Sequence, residues 1–113
     1  MELQIDKVQI KKAQLVLRAI NHPLRQKLLQ LIHVSGRITV TGIYIKLRLE
    51  QSVASQHLAI LRYGGFVNTT REGKFIYYSI NYKRIHEVET LAASLLQKQI
   101  QTQTPDVVRK NRG

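Results

Sequence analysis

Apolar residues recur along the start of the chain at the spacing of a helix with one dry face. Ile5, Val8, Ala13, Val16, Leu17 and Ile20 predict a helix over 5–20. Asn21-His22-Pro23 breaks the pattern. Asn21 or His22 can cap a second helix, and Pro23 suits its first turn, where no backbone donor is lost. That helix is expected to run to about Val34, with Leu24, Leu28, Leu31 and Ile32 on one face. Arg25, Gln26, Lys27 and Gln30 lie off it, and Ser35-Gly36 ends it. The stretch 38–49 carries two patterns at once. Ile43, Ile45, Leu47 and Leu49 alternate as in a strand, whereas Val40, Ile43 and Leu47 are spaced as in a helix that Thr39 can cap. Gly42 costs a helix about 1 kcal/mol relative to Ala. Local propensity leans to strand; the order of the surrounding elements favours a helix, and a helix is expected.

From Gln51 one pattern dominates. Ala54, Leu58 and Leu61 fall at i, i+4 and i+7, with Ser52, Ser55, Gln56, Ala59 and Arg62 on the opposite side, up to Gly64-Gly65. The β-branched and aromatic runs 66–70 and 75–80, joined by Arg71-Glu72-Gly73-Lys74, predict a hairpin. A last helix is expected over 82–100, with Ile85, Val88, Ala92, Leu95 and Leu96 on one stripe. Residues 1–100 then form one domain, and 101–113, polar, Pro-containing and basic at the end, a flexible tail. Five helices with a hairpin between the fourth and fifth make a mainly α chain with a small β-hairpin (α+β). A helix with small polar residues outward, followed by a basic-tipped hairpin, is the order of a winged helix-turn-helix.

Composition narrows the function. Lys and Arg number 18 against 7 Asp and Glu, a formal charge of +11, so polyanions are the expected partners, nucleic acid before acidic membranes. With no Cys, disulfides, thiolate metal sites and thiol redox sensing are excluded. The first residues lack the apolar core of a secretory signal, and no apolar run is long enough for a bilayer, so a cytoplasmic protein without membrane contact is expected. Neither a nucleophile elbow, a Gly-rich phosphate loop nor a metal pair is present, and His22, His33, His57 and His86 are scattered. Neither catalysis nor a cofactor is expected.

Three motifs carry a family resemblance. Leu17 to Leu29 reads LRAINHPLRQKLL, similar to "LKALADPTRLRIL". Leu49 to Arg62 reads LEQSVASQHLAILR, similar to "LSQPTVSRHLKVLR", followed by Gly65-Phe66-Val67 in place of "GLV". Arg71 to Tyr78 reads REGKFIYY, similar to "REGRRVYY". In this order and spacing they resemble the ArsR/SmtB family of bacterial winged helix-turn-helix repressors over about residues 15–80. The resemblance implies a homodimer through the first and last helices and binding of double-stranded DNA. A basic module for RNA or a partner protein is the alternative, with Tyr44 and Tyr63 as available aromatics; the family match places Tyr77 and Tyr78 in the hairpin's own packing.

The expected DNA contacts are Gln51, Ser52, Ser55 and Gln56 on the reading helix, because Gln pairs with adenine and Ser reads either base type. Gln51 adds the helix start, where backbone N–H groups face a phosphate. Arg62 with Lys46 and Arg48 suits phosphates, and Arg71 and Lys74 suit the minor groove or its backbone. Gln56 stands where the family often has Arg, so a guanine contact is absent there. Glu50 stands where the family often caps with Ser, so the helix is expected to begin at Gln51 or Ser52. His57 matches a position bordering DNA, with packing, hydrogen bonding and phosphate contact all open to it. Arg25 reads as a structural ion-pair or capping residue. At the family's thiolate positions stand Thr39 and Thr41, and the last helix offers only His86 with Glu87 and Glu89 beside it, so no metal site is expected.

Overall fold

The computed structural model describes the backbone of residues 6–102 and the side chains of 6–97. These form α1 (Lys7–Ile20), α2 (Pro23–Ser35), β1 (Arg37–Thr39), α3 (Val40–Leu47), α4 (Gln51–Tyr63), β2 (Val67–Glu72), β3 (Phe75–Ile80) and α5 (Tyr82–Thr102). Most of the expected tail, from 103 on, lies outside the described residues.

Side chains just outside the first turn start α1, α2 and α3. Asp6 Oδ1 accepts the Gln9 amide at 3.1 Å to cap α1. His22 Nδ1, not Asn21, accepts the Leu24 amide at 3.1 Å to cap α2, with Pro23 in the first turn. Thr39 Oγ1 accepts the Gly42 amide at 3.1 Å, so the ambiguous stretch is helical from Val40 to Leu47.

The alternation of Ile43, Ile45, Leu47 and Leu49 does not produce a strand, but a short one precedes it. Arg37, Ile38 and Thr39 pair antiparallel with Ser79, Tyr78 and Tyr77 of β3. The sheet therefore has three strands in the order β1-β3-β2, where the sequence predicted a hairpin alone. Three residues are too few to show an alternating pattern, and β1 forms because β3 offers it an open edge. Gly42 is explained at the same point. A Cβ there would stand 2.9 Å from Cγ1 of Ile38, so the residue that weakens α3 by propensity is the one that lets β1 lie against it.

The hairpin is longer and tighter than expected. Its strands continue to Glu72 and from Phe75, leaving Gly73 and Lys74 as the loop in place of four residues. A positive φ of 61° falls on Gly73 alone, the first loop residue, as in a type II′ turn.

Leu28, Ile32, Ile43, Leu58, Leu61 and Phe66 are fully buried, and Val67, Ile80 and Val88 close the cluster. Each such side chain contributes about 1.5–3 kcal/mol on leaving water. Two assignments change. Ala59, placed on the polar side of its helix, is half-buried, and Arg25, placed off the apolar face of α2, is 8% exposed.

Candidate nucleic-acid interface

Burial of Ala54, Leu58 and Leu61 fixes which side of α4 faces outward. Gln51, Ser52, Ser55 and Gln56 are all exposed and share the first turns of that helix. Glu50 occupies the cap position without a side-chain bond to the helix, and α4 begins at Gln51. The first-turn amides are thus left without a side-chain cap, which suits an anionic oxygen. Arg62 is exposed too, but eleven residues on from Gln51 it stands about 16 Å further along the axis. It does not join the group at the helix start; its guanidinium lies 5.6 Å from the ring centre of Tyr63.

His57 stands at the edge of the outward face, half-buried. Its Nδ1 is 3.5 Å from Nη1 of Arg25, and its ring lies 4.8 Å from that of His22. Arg25 also donates from Nη2 to the carbonyl of Arg18, in the last turn of α1, at 3.3 Å. Of the two roles expected for Arg25, capping is present, and no ion pair forms among the described residues. Its Nε is buried without a hydrogen-bond partner. Desolvation lowers the pKa of His57, and the charges of His22 and Arg25 push the same way. A neutral ring beside Arg25 is the state the surroundings favour. Helical spacing could not reveal this cluster, because it is covered by α1 and α4 rather than by α2 itself.

At the wing tip Arg71 and Lys74 are exposed. Arg71 folds back, Nε donating to the carbonyl of Gly73 at 3.2 Å, while the ammonium of Lys74 lies 5.8 Å from the ring centre of Phe75. The tip end of β2 is held by a residue that no motif singles out. Arg37 on β1 donates through Nη1 and Nη2 to both carboxylate oxygens of Glu72, at 2.6 and 3.0 Å, and its guanidinium sits 4.0 Å over the Tyr77 ring. These hydrogen bonds hold the Glu72 carboxyl below the ordinary carboxylate range. Without β1 there was no reason to bring 37 beside 72. Lys46 and Arg48 are exposed at the end of α3, Arg48 in the left-handed conformation that turns the chain toward α4.

The Thr39 hydroxyl is occupied in capping α3, and Glu87 pairs with Arg84 at 3.3 Å. Among the described residues no three His, Asp or Glu lie close enough together to hold a metal ion. No described helix is long and apolar enough to cross a membrane.

No protein-family model matches the chain. It is similar to the transcriptional repressor PagR of Bacillus anthracis, 36% identical over 73 residues, 65% of this chain and 73% of PagR. The PagR crystal structure matches 76% of this chain and 99% of its own, with a TM-score of 0.60 at 32% identity. A second relative is the uncharacterized HTH-type transcriptional regulator MJ1325 of Methanocaldococcus jannaschii, 32% identical over 84 residues, 74% of this chain and 94% of that protein. An ArsR-like transcriptional regulator from Rhodococcus sp. RHA1 shares the fold, with a TM-score of 0.70 over 82% of this chain and 87% of its own at 14% identity. The chain belongs to the ArsR/SmtB-like winged helix-turn-helix transcriptional regulators, a non-enzymatic family.

Proposed function

We propose that this chain is a homodimeric, sequence-specific binder of double-stranded DNA that represses transcription. The observation that carries this reading is α4, which turns Ala54, Leu58 and Leu61 into the core and Gln51, Ser52, Ser55 and Gln56 outward. The outward set is short, polar and free of acids, so it can enter a major groove and contact base edges. The exposed Arg71 and Lys74 extend the contact to phosphates or the minor groove, and Arg62 reaches the flanking backbone. His57 acts from behind, held by Arg25.

The dimer rests on the terminal helices. On α1, Val8 and Leu15 share one face and are exposed, Val8 by 62%, and on α5 Leu96 is exposed by 60%. A second copy, related by a two-fold axis, would cover these stripes and place two reading helices about 34 Å apart on successive major grooves. As a DNA-bound regulator the protein acts in the cytoplasm. Composition excludes control by a thiolate-bound metal, and a non-metal ligand, a partner protein or concentration takes its place.

The test is selection of binding sites from random duplexes, followed by footprinting on the best genomic match with and without chelator. The expected site is a near-palindrome, Gln56→Ala shifts the preferred bases, and chelator has no effect. A reporter carrying the site should fall when the protein is expressed. Failure to enrich any duplex site, with tighter binding to single-stranded RNA and Gln56→Ala behaving as wild type, would replace this reading by that of an RNA-binding module.

A further inference from the structure

The end of α4 is held by the start of α5 in a way that no groove contact requires. The carbonyls of Gly64 and Gly65, just past the last turn of α4, are both taken by side chains from beyond the hairpin. Arg84 Nε donates to the Gly64 carbonyl and Asn81 Nδ2 to the Gly65 carbonyl, each at 2.9 Å. Asn81 acts in both directions, because its Oδ1 accepts the Arg84 amide at 3.3 Å and its carbonyl accepts the Ile85 amide at 3.1 Å, starting α5. Its own amide donates to the Phe66 carbonyl at 2.9 Å. Gly65 has φ of +80°, a conformation that favours glycine, and the Arg84 side chain packs 3.6–3.7 Å from where a Cβ would stand. The guanidinium lies 5.8 Å from the ring centre of the fully buried Phe66 and 3.3 Å from Glu87. A cation at the carbonyl end of α4 also faces the negative end of that helix's dipole.

We infer that Asn81 and Arg84 form a rigid joint between the reading helix and the dimer helix, and that these positioning residues set the half-site spacing the protein accepts. This rests on the dimeric DNA-binding reading. In such a dimer, α5 is tied to the two-fold axis and α4 to the groove. A joint without play converts the geometry of α5 pairing into the distance and angle between the two reading helices. Each added base pair moves the second half-site by about 3.4 Å and turns it by about 34°, so a stiff joint penalises a change of one step.

The experiment starts from the palindrome that the wild-type protein selects from random duplexes. One base pair is inserted or removed between its half-sites, and affinity is measured for the wild type, Arg84→Ala, Arg84→Lys and Asn81→Asp. The last keeps the cap of α5 but removes the donor to Gly65. Wild type should prefer the selected spacing by about tenfold or more, the scale of losing well-placed contacts in one half-site. Arg84→Ala and Asn81→Asp should reduce that ratio to about threefold or less with the dimer intact by light scattering, and Arg84→Lys should recover part of it. A purely structural role would lower the melting temperature and all affinities together and leave the ratio unchanged, and that result overturns the joint. Should Arg84→Ala fail to fold, Asn81→Asp decides alone, and should both fail, Arg84→Lys decides by whether its ratio falls below that of wild type. A wild type that is monomeric, or selects no two-fold site, overturns the dimeric reading itself and the joint with it.

Discussion

Lys74→Ala measures what the wing does. Lys74 is the second residue of the two-residue hairpin loop, exposed, with its ammonium 5.8 Å from the Phe75 ring centre. It lies outside the core, and the positive φ of the turn falls on Gly73, so removing its side chain leaves the turn intact. Arg71 is a poorer probe, because its Nε also holds the Gly73 carbonyl, and its loss would mix charge with turn geometry. Each phosphate neutralised adds about 0.9 to the slope of log affinity against log salt, so two wings in a dimer add about 1.8. Raising salt from about 50 to about 200 mM changes log salt by about 0.6, so wild type should lose about twelvefold more affinity than the variant over that range. Fluorescence anisotropy of the selected duplex across a salt series reads this directly. Gln56→Ala is the internal contrast, expected to change base preference at an unchanged slope. If the Lys74→Ala slope matches that of wild type, the wing does not reach the phosphates and the docking geometry is wrong.

Three further outcomes follow from the packing. His57→Asn keeps an acceptor near the Nδ1 position and removes the titrating ring. Because the folded pKa of His57 is lowered, its stabilising contribution is complete above the unfolded value of about 6.5 and is lost as pH falls through that value toward the folded one. Melting temperature should therefore drop more steeply for wild type than for His57→Asn between about pH 7 and 5, and parallel curves would remove the Arg25–His57 contact from the account. Gly42→Ala gains about 1 kcal/mol of helix propensity. It also meets Ile38 Cγ1 at 2.9 Å, where repacking costs about 1–3 kcal/mol, so the variant should melt at a lower temperature than wild type, and a rise would refute the steric reading. Glu72→Gln weakens the paired bonds to Arg37, and hydrogen exchange of the β2 and β3 amides near the tip should quicken while the helices stay protected.

What the sequence revealed and what it concealed divide along the range of the contact. Ala54, Leu58 and Leu61 were legible because a helix repeats its burial every few residues, and the outward Gln51, Ser52, Ser55 and Gln56 followed by subtraction. Gly73 marked the turn through its backbone alone. The pairings that escaped notice span 20 to 35 positions: Arg84 on Gly64, Arg25 beside His57, Arg37 on Glu72, although Arg25 itself reads as structural. No local period encodes such pairs, and β1, which brings Arg37 into place, is too short to announce itself.

These three arginines also change what the net charge means. A formal +11 reads as a surface prepared for a polyanion, yet part of that charge is spent on holding the fold together. Arg25 turns to the carbonyl of Arg18, Arg84 is shared between the Gly64 carbonyl and Glu87, and Arg37 between Glu72 and the face of Tyr77. A cation fixed to a carbonyl keeps its charge but loses the freedom to follow a phosphate. Exposed, loosely held Lys74 retains that freedom, and Arg71 keeps it in part. On the proposed docking, the cations left free to follow phosphates are therefore fewer than the net charge suggests. Substituting the fixed arginines should disturb geometry before it disturbs the salt dependence, whereas substituting Lys74 should do the reverse.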